Sequence, residues 1–407
     1  SQPFAGGAAG AAGDSAGGTG GTNGVAGGAG QSEPSSLLGK AFDLTVPKSV
    51  SAGIADDHWC AGPCAPAAVL VTGVLGQQLQ VVWGTLGHAT EVTLSKAGGE
   101  WALQVPLQLG EELTWEYAMC ADNTQLTSAT FAFTGEGAGA ALSIDGAFTS
   151  KYCSDDYTTG YVGQVTLTGA VDRRSPIAYG PSDGVSPMPP ISIALDKPLE
   201  PAATATARLA TGEAVSLTPR LEAGYVVGFD SEQVFPLGAR VTVDFTGDDY
   251  ARVGSPSAVS WTTAEDFGLL TTDGFESGTT FGIRDATVVT QYGLPALSGQ
   301  RMLHVAAGDA ALLHLAALPG ARTLELDAQA INECPWETTT GAVSVTVGRV
   351  GSSERAVQSV GLETSVETSV DGTAMWFGPV THLSVPLPSG DGDVLVQFLG
   401  PYYYGAG

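Results

Sequence analysis

Apolar and polar residues alternate along most of the chain, and Gly, Asn and Asp interrupt the alternation at short intervals. The pattern is clear at Leu79, Val81 and Trp83, and it returns at Phe131 and Phe133. A period of two places every second side chain on the same face of a strand, and the interrupting residues favour turns. The sequence therefore predicts an all-β protein with half-buried antiparallel strands.

The alternation continues through three parts of the chain. In the first part it predicts inward-facing residues at Trp101, Leu103, Val105, Leu113, Trp115, Tyr117 and Met119. In the middle part it predicts them at Ile191, Ile193, Leu195, Val241, Val243 and Phe245. In the last part it predicts the strand-like runs SGQRMLHV, ALLHLAAL, RTLELDAQAI and VSVTVGRV. Such runs, separated by turns, are typical of β-sandwiches and small barrels. A proline-rich segment, residues 186–190, breaks the pattern and marks a domain boundary.

We predict four segments on this basis. Residues 1–36 form a leader or tether, residues 37–175 a β-sandwich or barrel that contains cysteines, and residues 176–265 and 270–407 two further sandwiches. Residues 6–30 are almost only Gly and Ala, offer little apolar surface to bury, and predict a flexible tether. A collagen helix is disfavoured because the Gly-rich run contains no proline.

The spacing of the leader glycines supports a second interpretation, an extended three-fold helix that packs against copies of itself. The glycines of such an assembly element are Gly7, Gly10, Gly13, Gly18, Gly21, Gly24, Gly27 and Gly30. The chain begins at Ser1 without Met, which is typical of an exported protein after its signal peptide is removed. We therefore expect an extracellular or outer-surface protein, attached to a membrane only if a lipid anchor precedes Ser1.

The net charge of the chain limits the classes of molecule that it can bind. Asp and Glu outnumber Lys and Arg by 42 to 16, and the net charge is −26. Nucleic acids and bare anionic membranes are disfavoured because they bind basic patches. The acidity fits solubility outside the cell, and divalent-cation binding is the second interpretation. The remaining partners are further copies of the chain, in a homo-oligomer or filament, or a surface glycan.

Five cysteines fit an oxidising compartment. Cys60, Cys64, Cys120 and Cys153 allow three pairings, of which we predict Cys60–Cys64 and Cys120–Cys153. Cys334 is left over and is either a buried thiol or a site for an intermolecular bond. A zinc site in the segment WCAGPC would need further ligands at regular spacing.

Two resemblances concern the first and middle parts. The segments LLGKAFDLTVPKSV, AMCADNTQLTSATFAFTGE and GQVTLTGAVD resemble the first region of myxobacterial surface lipoproteins with Gly-rich leaders, which implies a lipid-anchored protein and assigns no active residues. The middle part resembles bacterial immunoglobulin-like (Ig-like) domains, in which an apolar strand leads to a D-x-P-L turn. That turn is Asp196, Lys197, Pro198 and Leu199 here, and it implies a spacer or adhesive domain.

The last part opens with DGFESGTTFGI and closes with GDGDVLVQFLG, an order that resembles jelly-roll sandwiches of carbohydrate-binding modules. The resemblance implies a structural calcium ion, with Glu276 and Asp393 as candidate ligands and Asp391 and Asp273 as neighbours. Calcium is the one cofactor that the sequence suggests. The complete fold prediction is tandem Ig-like and jelly-roll-like β-sandwiches after a Gly-rich N-terminal segment.

No catalytic motif accompanies these features. The sequence has no G-x-S-x-G elbow, His304 and His314 fit apolar strands, and His382 is isolated. We predict a non-enzymatic, exported cell-surface protein with an adhesive or structural role, and in the structural version the leader joins the subunits of an appendage or filament. The alternative is carbohydrate binding by the last part, where exposed Trp or Tyr would stack on sugars. A glycan- or peptide-cleaving enzyme is a third hypothesis, since carboxylates are plentiful.

Overall fold

The computed structural model describes residues 34–45, 67–108, 113–114, 121–154, 157–247, 254–270 and 283–399, the last range with gaps at 290, 293, 298–299, 306–309, 318–321, 330, 333–339, 364–365 and 371–372. Apart from the 3-10 turns Pro34–Ser36 and Gly137–Gly139, its regular elements are β-strands. This confirms the all-β prediction. In these ranges, no helix is long and apolar enough to cross a membrane.

The first body is a barrel. Its strands are β1 (Ala41–Thr45), β2 (Ala67–Leu75), β3 (Gln78–Thr85), β4 (His88–Ala97), β5 (Glu100–Leu103), β6 (Leu107–Gln108), β7 (Leu113–Thr114), β8 (Ala121–Thr134), β9 (Ala141–Ser154) and β10 (Tyr157–Val171). They pair in the antiparallel order β5-β4-β3-β2-β1-β10-β9-β8, and β5 pairs with β8 as well. Strands β1–β5 and β8–β10 therefore close into a ring.

Apolar side chains from all sides of the ring form the barrel core. Trp83 and Phe131 are buried there as the alternation predicts, and Phe42 meets Phe133 edge to face at a centroid distance of 5.4 Å. The prediction for Val105 is wrong. This residue lies beyond the end of β5 in a bend of the chain, and it is 62% exposed.

The second body is a β-sandwich. Its strands are β11 (Ala178–Tyr179), β12 (Ile191–Leu199), β13 (Thr204–Leu209), β14 (Ala214–Ser216), β15 (Thr218–Glu222), β16 (Tyr225–Ser231), β17 (Arg240–Thr246) and β18 (Val259–Thr262). They form two four-stranded sheets, β11-β12-β16-β15 and β14-β13-β17-β18. The predicted inward residues Ile193 and Val243 are buried between the sheets, together with Phe229 and Trp261.

The third body is a second β-sandwich. Its strands are β19 (Ile283–Arg284), β20 (Thr287–Val289), β21 (Gln291–Tyr292), β22 (Leu294–Pro295), β23 (Met302–His304), β24 (Ala310–Leu315), β25 (Thr323–Ala328), β26 (Ile331–Asn332), β27 (Thr340–Arg349), β28 (Arg355–Glu363), β29 (Val366–Val370), β30 (Thr373–Phe377), β31 (Thr381–Pro386) and β32 (Val394–Leu399). A five-stranded sheet, β19-β24-β32-β27-β28, packs against β25 and β31. The tandem-sandwich prediction is confirmed, and the residue boundaries predicted for the domains stay predictions.

The barrel wall lies on the outer face of one sheet of the first sandwich, and we call this contact the first joint. Leu70 and Val82 of the barrel form an apolar cluster with Val227 of β16. The prediction of a turn at residues 196–199 is wrong, because these residues continue strand β12, with a shift of register after Ala194. Gly84 is required here, because a Cβ at this position would lie 2.6 Å from Cδ of Pro198 in β12. The end of β12 thus packs directly against the barrel.

Buried charges complete the first joint. The ammonium group of Lys197 forms an ion pair with Asp172, and each of these side chains is 1% exposed. Lys197 also donates to the carbonyl oxygen of Arg174 at 2.8 Å. Asp196 accepts from Arg174 Nη1 at 2.5 Å and from the amide of Ile177 at 2.6 Å. The buried ammonium group is therefore compensated by a buried carboxylate, as a charge in a protein interior requires.

The second joint connects the two sandwiches. Met188 and Val234 of the first sandwich pack on Leu312 and Leu395, which lie on the outer face of the five-stranded sheet. The amide of Gly351 donates to the carbonyl oxygen of Val234 at 2.9 Å. The opposite sheet of the second sandwich, which contains β25 and β31, therefore faces away from this joint.

Replacing Lys197 with Met should destabilise the first joint, because Asp172 is then a buried charge without a counter-ion. Removal of one partner from a buried ion pair costs about 3–5 kcal/mol, and we expect urea unfolding to show a loss of that size. The control is Arg208→Met, which breaks an exposed pair with Asp244 and should cost less than about 1 kcal/mol. Equal losses of unfolding free energy in the two variants would contradict the assignment of the buried ion pair to the first joint.

Replacing Asp43 with Asn should stabilise the protein at neutral pH. Among the described residues, nothing hydrogen-bonds to the buried Oδ1 of Asp43, and burial is the main cause that raises its pKa, with Asp172 adding to it. A raised pKa means that stability present at low pH is lost as the pH rises through that pKa. We expect Asp43→Asn to raise the Tm at neutral pH and to flatten its dependence on pH above about pH 4. A lower Tm at neutral pH would contradict this explanation.

Candidate functional site

Most of the predicted site residues lie outside the described residues. These are Glu276, Asp273, Cys60, Cys64, Cys120, Cys334 and the leader glycines Gly7, Gly10, Gly13, Gly18, Gly21, Gly24, Gly27 and Gly30. Cys153 lies on β9, where its backbone pairs with Thr158. The disulfide pairing and the assembly glycines therefore stay predictions.

The loop before β32 carries Asp391 and Asp393, the two described candidates for calcium binding. Asp393 Oδ2 lies 3.3 Å from Nε2 of the buried His314, and Asp393 Oδ1 accepts from the amide of Ala317 at 3.0 Å. Asp391 is exposed. Asp393 is thus already bound by protein donors, and Glu276 and Asp273 lie outside the described residues, so the calcium site stays a prediction. Within the described part of the chain, no three potential ligands converge on a metal ion.

A different polar cluster lies on the exposed face of β25 and β31. The antiparallel register places Glu325 opposite Ser384 and Asp327 opposite His382. These four side chains are exposed, whereas intervening residues such as Leu383 are buried in the core. The arrangement follows from the period of two along each strand. We call Glu325, Asp327, His382 and Ser384 the polar face.

Hydrogen bonds hold the polar face together. His382 lies between two carboxylates, with Nδ1 2.8 Å from Asp327 Oδ1 and Nε2 2.9 Å from Glu325 Oε2. The Ser384 hydroxyl donates to Glu325 Oε1 at 2.6 Å. A protonated imidazole donates from both nitrogens, so it satisfies both carboxylates at once.

The pKa values on the polar face shift in the direction that this arrangement requires. The hydrogen bond to Asp327 is the main cause that raises the pKa of His382, and Glu325 contributes further. The hydrogen bond from Ser384 is the main cause that lowers the pKa of Glu325. Both shifts favour the charged forms of His382 and Glu325, and two carboxylates beside one imidazole make the polar face negative.

The bonds within the polar face show which of its groups remain available to a ligand. Ser384 donates to Glu325, and both nitrogens of His382 face carboxylates, so these four residues contain no hydroxyl activated by the imidazole. The two carboxylates also lie on opposite sides of the ring and do not share one metal position with it. Each carboxylate has about four acceptor sites and uses only part of them, which leaves acceptors for ligand hydroxyl groups.

Trp376 precedes the polar face along the chain. It lies on β30 between Met375 and Phe377, which are both buried, while Trp376 itself is partly exposed. The alternation along the strand directs its ring away from the core. Trp376 is six positions before His382, so at about 3.3 Å per residue the two residues are at most about 20 Å apart. An aromatic ring and the polar face therefore lie along the same stretch of chain.

The polar face illustrates what the sequence did not indicate. His382 is isolated in the sequence, and the structure places it within β31, directly across from Asp327. A cross-strand neighbour depends on the register of two distant segments, which periodicity within one segment does not define. The available signal was the pattern polar-apolar-polar in both segments, Glu-Leu-Asp and His-Leu-Ser.

Comparison with protein-family models and with curated proteins found no match to this chain. Among solved structures, the chain is similar to one from a study of the structural basis of promiscuous specificity in carbohydrate-binding modules of the β-sandwich superfamily. The identity is 15%, the match covers 57% of this chain and 94% of that chain, and the TM-score is 0.20. A likeness this weak assigns no function to this chain.

Replacing Asp327 with Asn should lower the pKa of His382. The raised pKa means that the stabilising bonds of the imidazolium are fully present below the unfolded-state pKa and are lost as the pH rises through the folded-state pKa. We expect NMR titration of the imidazole to give a value closer to about 6.5 in Asp327→Asn. The control Asp145→Asn changes an exposed carboxylate on the barrel and should leave the titration unchanged. An identical titration in Asp327→Asn would refute the role of this hydrogen bond.

Proposed function

We propose that the protein is a non-enzymatic, exported adhesive protein that binds carbohydrate through the polar face and Trp376. The observation that carries this proposal is the pairing of His382 with Asp327 and Glu325 on open strands. Sugar hydroxyl groups donate hydrogen bonds, and the polar face offers the unused acceptor sites of its two carboxylates and of the Ser384 oxygen. Small-molecule sites commonly combine a few such polar groups with an aromatic surface, which Trp376 supplies.

The charge of the polar face narrows the ligand class. Two carboxylates against one imidazolium leave the face negative, and the chain as a whole carries −26. An acidic glycan would be repelled by this field, whereas a neutral glycan would not. We therefore expect neutral saccharides as ligands.

The two joints support a role for the barrel and the first sandwich as a stem, that is, a rigid support that holds the second sandwich away from the cell surface. The second joint covers the five-stranded sheet at Leu312 and Leu395, so the polar face on the opposite sheet faces away from the first sandwich. The barrel is held to that sandwich by the pair of Lys197 and Asp172. In this proposal the Gly-rich leader tethers the stem to the cell surface, with a lipid anchor before Ser1.

The second candidate function is structural. The same joints, with Glu222 of the sandwich accepting from the amide of Ala89 of the barrel at 2.9 Å, would suit a stiff subunit of a surface filament. In that case the leader glycines make contacts between subunits and the polar face has no ligand. Electron microscopy of the purified whole chain distinguishes the two candidates, since filaments support the structural role and separate particles support the tether.

A glycan array and calorimetry test the binding role with the whole chain. We expect binding to neutral glycans, and we expect Glu325→Gln combined with Asp327→Asn to weaken it about 10-fold or more, because hydrogen bonds to charged groups contribute about 1.5–3 kcal/mol. Trp376→Ala should weaken it as well. The matched control is Asp145→Asn, which removes a carboxylate from the barrel surface. Absence of binding to every neutral glycan, or equal affinity in all variants, would refute this function.

A further inference from the structure

The buried ion pair of the first joint brings an amine and a carboxyl group of two bodies into contact. Nζ of Lys197 on β12 contacts Oδ2 of Asp172, which follows β10, and each side chain is 1% exposed. Among the described residues, no donor reaches this Oδ2 in hydrogen-bond geometry, so the contact is close without being an ordinary hydrogen bond. A lysine amine becomes a nucleophile when it loses its proton and its water shell, and a carboxyl carbon is a group that it can attack.

The main chain holds the two groups in place. The amide of Asp172 donates to the carbonyl oxygen of Ala41 at 2.8 Å. The amide of Asp196, the residue before Lys197, donates to the carbonyl oxygen of Ile177 at 3.0 Å. Two reacting groups that a protein holds in contact have an effective concentration of up to about 10⁵–10⁸ M, which offsets the unfavourable equilibrium of amide formation in water.

Hydrogen bonds around the pair favour attack on the carboxyl carbon. The amide of Arg174 donates to Asp172 Oδ1 at 2.9 Å, and it draws negative charge to that oxygen as the donors of an oxyanion hole do. Lys197 donates to the carbonyl oxygen of Arg174 at 2.8 Å, which fixes the direction of the amine. A cavity beside Asp172, lined in part by Asp43 and Arg173, opens to solvent and gives a departing water molecule an exit.

We propose that Lys197 and Asp172 condense to an amide, so that a covalent cross-link joins the barrel to the first sandwich. The ammonium proton first passes to the carboxylate, because neutral partners cost less than ions where water is excluded. The C–N bond then forms between Nζ and Cγ, the amine gives a second proton to the departing oxygen, and one water molecule leaves. One ammonium and one carboxylate group thus give one amide and one water molecule, and no co-reactant is needed.

The amide makes the first joint independent of the charges that form the ion pair. It closes a ring through residues 172–197, which limits how far the barrel and the first sandwich separate even when the chain unfolds. The polar face takes no part in this reaction, so the cross-link and glycan binding succeed or fail independently of each other.

Mass spectrometry of the whole chain, denatured and with all cysteines reduced, tests the cross-link. We expect the intact mass to lie below the mass that the sequence requires by one water molecule. Digestion with trypsin separates the segments 152–173 and 175–208, which contain Asp172 and Lys197 respectively. We expect these two peptides to appear as one joined species whose fragments locate the bond at the two side chains.

Two lysine variants complete the experiment. Lys197→Arg keeps the charge of the pair but offers no amine that loses its proton, so we expect the full sequence mass and separate peptides. The matched control Lys96→Met removes an exposed lysine of the barrel and should keep the mass deficit. The full sequence mass in the unmodified chain, or a deficit that persists in Lys197→Arg or disappears in Lys96→Met, would overturn the proposal. The measurement on the unmodified chain decides the matter even where Lys197→Arg does not fold.

Discussion

The arrangement of the bodies depends on the ion pair between Lys197 and Asp172. Both side chains are almost completely removed from solvent, and each would be costly to bury without the other. Lys197 belongs to the first sandwich and Asp172 follows the last barrel strand, so the pair forms only when the two bodies are in contact. Arg174 extends the network to Asp196, and Asp43 remains at its edge with an unsatisfied oxygen among the described residues. The first joint is thus specific in geometry and sensitive to the loss of a single charge.

The two joints also determine which sheet faces remain exposed to solvent. The barrel covers one sheet of the first sandwich around Val227, and the first sandwich covers the five-stranded sheet of the second around Leu395. The sheet that contains β25 and β31 remains uncovered by these contacts, and it carries the polar face. In the proposed function, the sheet faces that contact a neighbouring body build the stem. The sheet face that meets solvent is the binding surface.

The sequence predicted the strands better than the contacts between them. Alternation at Ile193 and Val243 correctly indicated buried positions, because the period of two is a property of one segment. It failed at Val105, where the chain bends after β5. Residues 196–199 resemble a family turn in the sequence but lie within β12, and their role in the first joint depends on Asp172, 25 positions before Lys197 and on another body. His382 shows the same limit, because its partners are fixed by the register of β25 and β31.

In the proposed function, the polar face binds neutral glycans while the other bodies act as a stem. NMR spectroscopy of the whole isotope-labelled chain, titrated with a neutral oligosaccharide selected on a glycan array, tests this function. We expect saturable shifts of the amide signals of β25, β30 and β31, with the barrel signals unchanged. Shifts confined to the barrel or the first sandwich would contradict it.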